Sequence, residues 1–193
     1  FTETFEAGGG EILFVSHSAD PSEAVQKTND YMTAYGDTDC IYATGEDYIT
    51  PAADVIKSRG ITDCKIYGSN ISPSVCQLIM DGQVEACTGG EFVCGSLAVT
   101  LLINYLDGNP IKDADGTAPY FDNLTQFMVT AENAEDFYEF LSDENLATHT
   151  ISDEEYQNLL VRNNPDVDYD YFYDFLTNYE ENVYAKVEAN AAQ

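Results

Sequence analysis

Tryptophan is absent from this sequence of 193 residues, and cations nearly so: seven Lys and Arg stand against 35 Asp and Glu, a net charge of −28. A surface this acidic repels phosphate backbones and anionic membranes, which excludes nucleic acid as a partner. No apolar run approaches the ~20 residues that a membrane span needs, so no span is expected. Histidine is limited to His17 and His149, and the five cysteines (Cys40, Cys64, Cys76, Cys87, Cys94) include no Cys-x-x-Cys pair. A structural zinc site needs four soft ligands, usually as two close pairs, and this spacing does not offer them. Neither a metal nor a cofactor is therefore expected. The odd cysteine count argues against a disulfide-built fold, while the pairing of two thiols stays open. Most of the cysteines read as small buried hydrophobes, with Cys40, Cys64 and Cys87 in or beside strand-like runs. No leader is visible and the chain opens at Phe1 rather than Met, which predicts a trimmed or mature piece.

What is present suffices for a packed core: 44% of residues are hydrophobic and 12% aromatic. Short apolar runs alternate with longer helical patterns. Strands are predicted at 12–15, 39–43, 64–67 and 84–88. Between them, Pro21 opens a helix that Gly36 ends, 51–58 is a helix closed by Gly60, and Ser72-Pro73 starts a third that runs to Met80. Residues 91–106 form the longest helix, ending at Asp107-Gly108. Strands of four to six residues without polar alternation are covered on both faces, so the expected fold is α/β, a three-layer sandwich around a mostly parallel sheet.

Beyond Gly108 the pattern changes. A polar loop precedes an extended stretch at 120–130 and a helix at 131–141. From Ser142 onward the chain is helical and very acidic, with helices expected at 152–162, 169–178 and 180–189. Ser152 and Glu155 have capping-box spacing. The expected organisation is an α/β lobe over 1–141 and an acidic helical extension over 142–193.

In open parallel sheets, ligands bind where the carboxyl ends of the strands meet the helix N-termini. Those ends carry Ser16, His17 and Ser18; Thr44, Gly45, Glu46 and Asp47; Ser69 and Asn70; and Thr88, Gly89, Gly90 and Glu91. Small residues among hydrogen-bonding ones suit a small polar ligand, although many of these residues also serve as helix caps. Catalytic readings are weaker. Glu46 or Asp47 with Glu91 forms a carboxylate pair of unspecified separation, and paired acids arise by chance among 35 acidic residues. His17, Asp20 and a serine lack any nucleophile elbow. Asp166, Asp168 and Asp170 start like a calcium loop, but Tyr171 replaces its glycine and Thr177 its closing glutamate.

The motifs DCIYATGED (39–47), 52–60, DCKIYGSN (63–70) and IMDGQVEA (79–86), in that order, resemble the C-terminal lobe of type I periplasmic binding proteins of the ribose-binding-like group. Ser18-Ala-Asp20 resembles that lobe's first strand–helix unit, and Gly95 with the helix to Pro110 its last. The resemblance spans roughly residues 10 to 140. It implies the non-catalytic solute-binding component of an ABC importer, exported to the periplasm or lipid-anchored on the cell surface. Such a protein closes two lobes on a small polar solute, of the sugar class or like it, and hands it to an ABC permease. It also implies that this chain's own N-terminal lobe is missing. The family's polar residue after the second strand falls at Gly45, leaving Thr44 or Glu46 to make the contact. Its aspartate falls at Asn70, a neutral amide, and its glutamine near Gly90 or Glu91. Together with the strand-end reading, this nominates Ser16, His17, Thr44, Glu46, Asn70 and Glu91 as ligand-binding residues. The same lobe serves LacI-type transcription regulators, and a degenerate lobe acting as an interaction module through the tyrosine-rich tail is a third alternative.

Overall fold

The computed structural model describes residues 2–91, 93–142 and 150–192. After a short helix α1 (Thr2–Ala7) come α2 (Pro21–Ala34), β1 (Cys40–Ala43), α3 (Glu46–Ser58), β2 (Lys65–Ser69), α4 (Pro73–Met80), β3 (Ala86–Gly89) and α5 (Val93–Leu106). They are followed by β4 (Phe127–Thr130), α6 (Ala134–Ser142), α7 (Asp153–Asn158), α8 (Tyr169–Thr177) and α9 (Tyr179–Ala191). Pro21, Ser72-Pro73 and Gly60 act as the sequence predicts, and the structure adds a cap at Asp20. Asp20 caps α2 by accepting from the Glu23 N–H, Ser72 caps α4 by accepting from the Val75 N–H, and each helix begins with proline. Gly60 ends α3 at φ +67°, a left-handed turn that glycine adopts without steric cost.

Strand order is β1-β2-β3-β4, with the first three parallel and β4 antiparallel to β3. This is the α/β class with a mostly parallel sheet that the alternating pattern predicts. One sheet face packs into the core: Ala43, Ile66, Cys87, Phe127 and Val129 are buried there. Helix α3 lies across β1 and β2, while α4 packs on α6, and α6 and α9 reach β4. Close approach depends on Gly68, where a Cβ would stand 2.4 Å from the Ile49 Cδ1 of α3. Phe127 and Phe137 stack at 5.1 Å in the centre of this layer.

Several expectations are corrected. Residues 12–15 are not a strand: Leu13 is 40% exposed, Phe14 46% and Val15 64%. Apolar content alone does not make a strand; a ladder partner does, and among the described residues β1 pairs only with β2. Phe14 instead stacks on Tyr31 of α2 at 3.8 Å. The sheet is also not covered equally on both faces, because Tyr42 and Tyr67 are each 37% exposed and Met128 48%. Helix α3 starts at Glu46 rather than at residue 51, since Glu46 and Asp47 in the first turn suit the helix dipole. Pro51 lies inside the helix, where its missing N–H leaves the Asp47 carbonyl without its i+4 bond. Glu91 lies in a turn ahead of α5 rather than in the helix, and α7 stops at Asn158, before residue 162. Cys64, Cys76 and Cys87 are buried, but Cys40 is half-buried and Cys94 exposed, and all five are free thiols. The expected helical continuation over 143–149 lies outside the described residues.

The tail packs onto the α/β layer. Leu159, Phe172, Leu176, Tyr179, Val183 and Val187 belong to the same buried cluster as the sheet residues. The buried Asn104 of α5 donates to the Leu159 carbonyl and accepts from the Val161 N–H, both at 2.9 Å. The capping box at α7 is present, and one Glu155 oxygen accepts from the Ser152 N–H (2.6 Å), the Ser152 hydroxyl (2.8 Å) and Lys186 Nζ (2.5 Å). Among the described residues no helix is long and apolar enough to cross a membrane.

Two stability predictions follow from these contacts. Phe137→Ala opens a cavity beneath β4 and costs about 3–5 kcal/mol, read from the urea midpoint. Burial raises the Glu155 carboxyl, but hydrogen bonds from Lys186 and Ser152 outweigh it and hold the group below its usual value. A lowered carboxyl stabilises the fold above the unfolded-state range of about pH 4.3, and that contribution is lost as pH falls through the folded value. Glu155→Gln should therefore lower the urea midpoint at pH 7, with the difference from wild type shrinking as acid is added below pH ~4.

Candidate functional site

Because β1, β2 and β3 run parallel, their carboxyl ends open on one edge, and the expected site residues distribute along it. At its start, Ser16 and His17 are exposed in the segment before α2. The backbone there is anchored: Lys27 Nζ donates to the His17 carbonyl, and the Tyr48 hydroxyl of α3 donates to the Ser18 carbonyl at 3.1 Å. Tyr48 thus brings the first expected strand end against the second, even though 12–15 forms no strand. The sequence reading missed this tyrosine, because it placed 46–50 outside the helix.

At the end of β1, Thr44 is exposed, Gly45 buried and Glu46 half-buried as the first residue of α3. An open depression of about 370 Å³ lies between the starts of α2 and α3, lined by Pro21, Ser22, Glu46, Asp47, Thr50 and Asp54 among others. Of the six nominated residues, Glu46 is the one that lines it.

The ends of β2 and β3 form the second group. Asn70 is exposed in the left-handed region at φ 77°, and its N–H donates to the Thr88 carbonyl at 2.9 Å. Asparagine tolerates that conformation better than most side chains. One strand over, Gly90 at φ 123° lies against Tyr179, whose ring carbon would be 3.0 Å from a Cβ there. Glu91 follows, and both of its carboxyl oxygens are buried without a hydrogen-bond partner among the described residues. Leaving a buried acceptor unmade costs on the order of 1–3 kcal/mol, and more if it is charged. Asn70 and Glu91 therefore share one end of the edge, while Ser16, His17, Thr44 and Glu46 share the other. Tyr179 comes from the far tail, and no local sequence signal ties it to Gly90.

Burial dominates the chemistry of the core thiols. It pushes Cys76 up to about 12, Cys87 to about 12 with help from Glu91 and Cys76, and Cys64 to about 11 with help from Cys40, Asp63 and Asp39. Among the described residues, no group of three or more His, Cys, Asp or Glu side chains is placed to hold a metal ion.

Against this geometry, a family model for the periplasmic binding protein domain matches residues 1–110. The chain belongs to that family. Solved structures with the same fold include a galactofuranose binding protein, 21% identical with a TM-score of 0.59, covering 76% of this chain and 49% of that one. Another is the periplasmic ribose ABC transporter protein of Conexibacter woesei (19% identity, TM-score 0.55, 72% of this chain and 46% of that one). A third is the substrate-binding protein of a sugar ABC transport system from Bordetella parapertussis (17%, 0.58, 70% and 44%). A search of curated proteins found no match. This periplasmic binding protein domain spans about half the length of the solved relatives it resembles.

The thiol environments generate a prediction. In the native protein at pH 8, Ellman's reagent should react quickly with the exposed Cys94 and slowly with Cys40. Cys76 and Cys87 should react only on unfolding, as peptide mapping of the labelled protein would reveal.

Proposed function

We propose that residues 1–141 are one ligand-binding lobe, and 142–193 its helical extension, of the solute-binding component of an ABC importer. The solute is small and polar, of the sugar class or like it. It is captured in a cleft between this edge and an N-terminal lobe outside this chain. The protein acts outside the cytoplasm, in the periplasm or on the cell surface, and delivers to an ABC permease. Family membership and the half-length match to sugar-binding relatives support the reading.

The observation that carries it is the carboxyl of Glu91 at the end of β3, buried and without a donor among the described residues. A polyhydroxylated solute brings O–H donors, and a carboxylate accepts two of them side by side. Asn70, at the end of the neighbouring strand β2, offers both a donor and an acceptor. On the other side of the edge, Thr44, Glu46, Ser16 and His17 supply further polar contacts. Binding is non-catalytic: each lobe provides part of the contact surface, and the solute favours the closed state because only there does it touch both lobes. A single lobe leaves half of those contacts unmade, so tight binding needs both.

Thermal shift of the two-lobed precursor against sugars, nucleosides and amino acids tests this reading. A sugar at about 100-fold its Kd adds about 2.7 kcal/mol, a rise of several degrees in Tm. Stabilisation by amino acids alone would overturn the solute class, and no stabilisation by any of them would overturn solute capture. Glu91→Ala gives a sharper result. It should abolish the sugar-induced shift while leaving the solute-free protein as stable as wild type or up to about 3 kcal/mol more so, because an unsatisfied buried group is removed.

A further inference from the structure

A second surface lies on the loop before β4 and on α8. Phe121 stacks on Tyr169 with ring centroids 4.9 Å apart, and Tyr169 on Tyr173 at 6.2 Å. Phe121 also stacks at 6.0 Å on Phe172, which is fully buried, so the row is anchored in the core. The Tyr169 hydroxyl donates to the Tyr120 carbonyl at 3.2 Å. Asn123 ties the loop to the helix, donating to the Tyr173 carbonyl at 2.7 Å and to the Thr177 hydroxyl at 2.8 Å. On this rigid base Tyr120 is 75% exposed and Tyr173 42%.

Three carboxylates lie near the Tyr169 phenol, Asp122 and Asp170 beside the stacked rings in the chain and Asp113 in the preceding loop. Desolvation and the nearby Asp113, Tyr173, Asp122 and Asp170 all push the Tyr169 phenol up. Asp113 is held in its loop, accepting from the Asp115 N–H and the Thr117 hydroxyl. The chain's cations are engaged elsewhere: Lys27 with Glu23, Lys57 with Gln83, Arg59 with Asn29 and Thr33, Lys65 with Glu85, Arg162 with Asp107 and Lys186 with Glu155. Lys112 is the cation nearest to Asp113 in sequence, and it is exposed.

The geometry points to the face formed by Tyr120, Tyr169 and Tyr173 with Asp113, Asp122 and Asp170 as a docking surface for a Lys/Arg-bearing segment of a protein partner. A guanidinium laid on a tyrosine ring gains from the ring quadrupole, and its N–H edge then reaches a neighbouring carboxylate in charge-assisted bonds. The rings are already ordered by their stacking, so docking immobilises little on this side. Complementary charge decides the class of partner. A neutral saccharide could stack on the rings but would leave the carboxylates without counter-charge, whereas a basic segment uses both. The inference does not rest on the solute reading, since none of these residues is among the six nominated for the solute.

The test is calorimetric titration of the full chain with a capped, glycine-spaced peptide carrying three arginines and two lysines. Because a chain of net charge −28 attracts any polycation, the comparison is between variants of equal charge. Asp122→Asn/Asp170→Asn should weaken binding about tenfold, and Tyr173→Ala about threefold, whereas Glu132→Gln/Glu139→Gln changes it less than about twofold. Circular dichroism and Tm check that each variant is folded. A photo-crosslinking version of the peptide on the wild-type chain should map to 113–122 and 169–174. Equal loss in both double variants, cross-links elsewhere, no binding, or binding of maltohexaose in place of the peptide would overturn the proposal.

Discussion

Parallel pairing of β1, β2 and β3 is the constraint on which the rest depends. A parallel neighbour cannot be reached through a tight turn, so each connection must cross over a sheet face as a helix. Those crossings place α3 and α4 on one layer, and they send the strands' carboxyl ends to a single edge. Gly68 makes the first crossing possible by letting Ile49 lie directly on β2. The core then forms between the sheet and α3, α4, α6 and α9, with Phe127 and Phe137 stacked at its centre.

The two ends of the edge are held by different physics. At β1, anchoring is local and polar: Tyr48 reaches the Ser18 carbonyl, and acidic residues in the first turn of α3 complement its dipole. At β3, it is a packing contact from far along the chain, with Tyr179 lying over Gly90. Tertiary packing also leaves Glu91 with two buried oxygens and no donor, a local cost of the kind found at ligand sites. The hydroxylated solute proposed above would supply the donors that Glu91 lacks among the described residues.

Acidity is distributed rather than uniform in its effect. Glu155 is engaged by Ser152 and Lys186, so its charge fastens α7 to α9. Glu23 is engaged by Lys27 and the Ala19 N–H, at the start of α2. Asp113, Asp122 and Asp170 instead lie near the Tyr169 phenol of a stacked aromatic row and perturb it. The same residue type thus caps helices, bridges elements and shapes a surface, according to what packs beside it.

Much of this was legible in the chain itself. Pro21 at the start of α2, caps at Ser72 and Ser152, the left-handed Gly60 and the strands expected at 39–43, 64–67 and 84–88, each within two residues of the observed one, follow from local backbone chemistry. The family resemblance and the strand-end location of Asn70 and Glu91 were likewise readable, because alternating strand and helix already implies a parallel sheet. The start of α3 was misread because Pro51 mimics a first-turn signal. Other features required the folded chain. Whether 12–15 becomes a strand depends on a ladder partner, which apolar composition does not supply. The exposure of Tyr42 and Tyr67, the burial of the Glu91 oxygens, and the meetings of Tyr48 with Ser18 and Tyr179 with Gly90 are set by which elements pack together. Sequence alone determined most of the elements and the edge at which the parallel strands end; tertiary packing decided whether 12–15 pairs and which side chains face that edge, because burial and pairing are properties of neighbours distant in the chain.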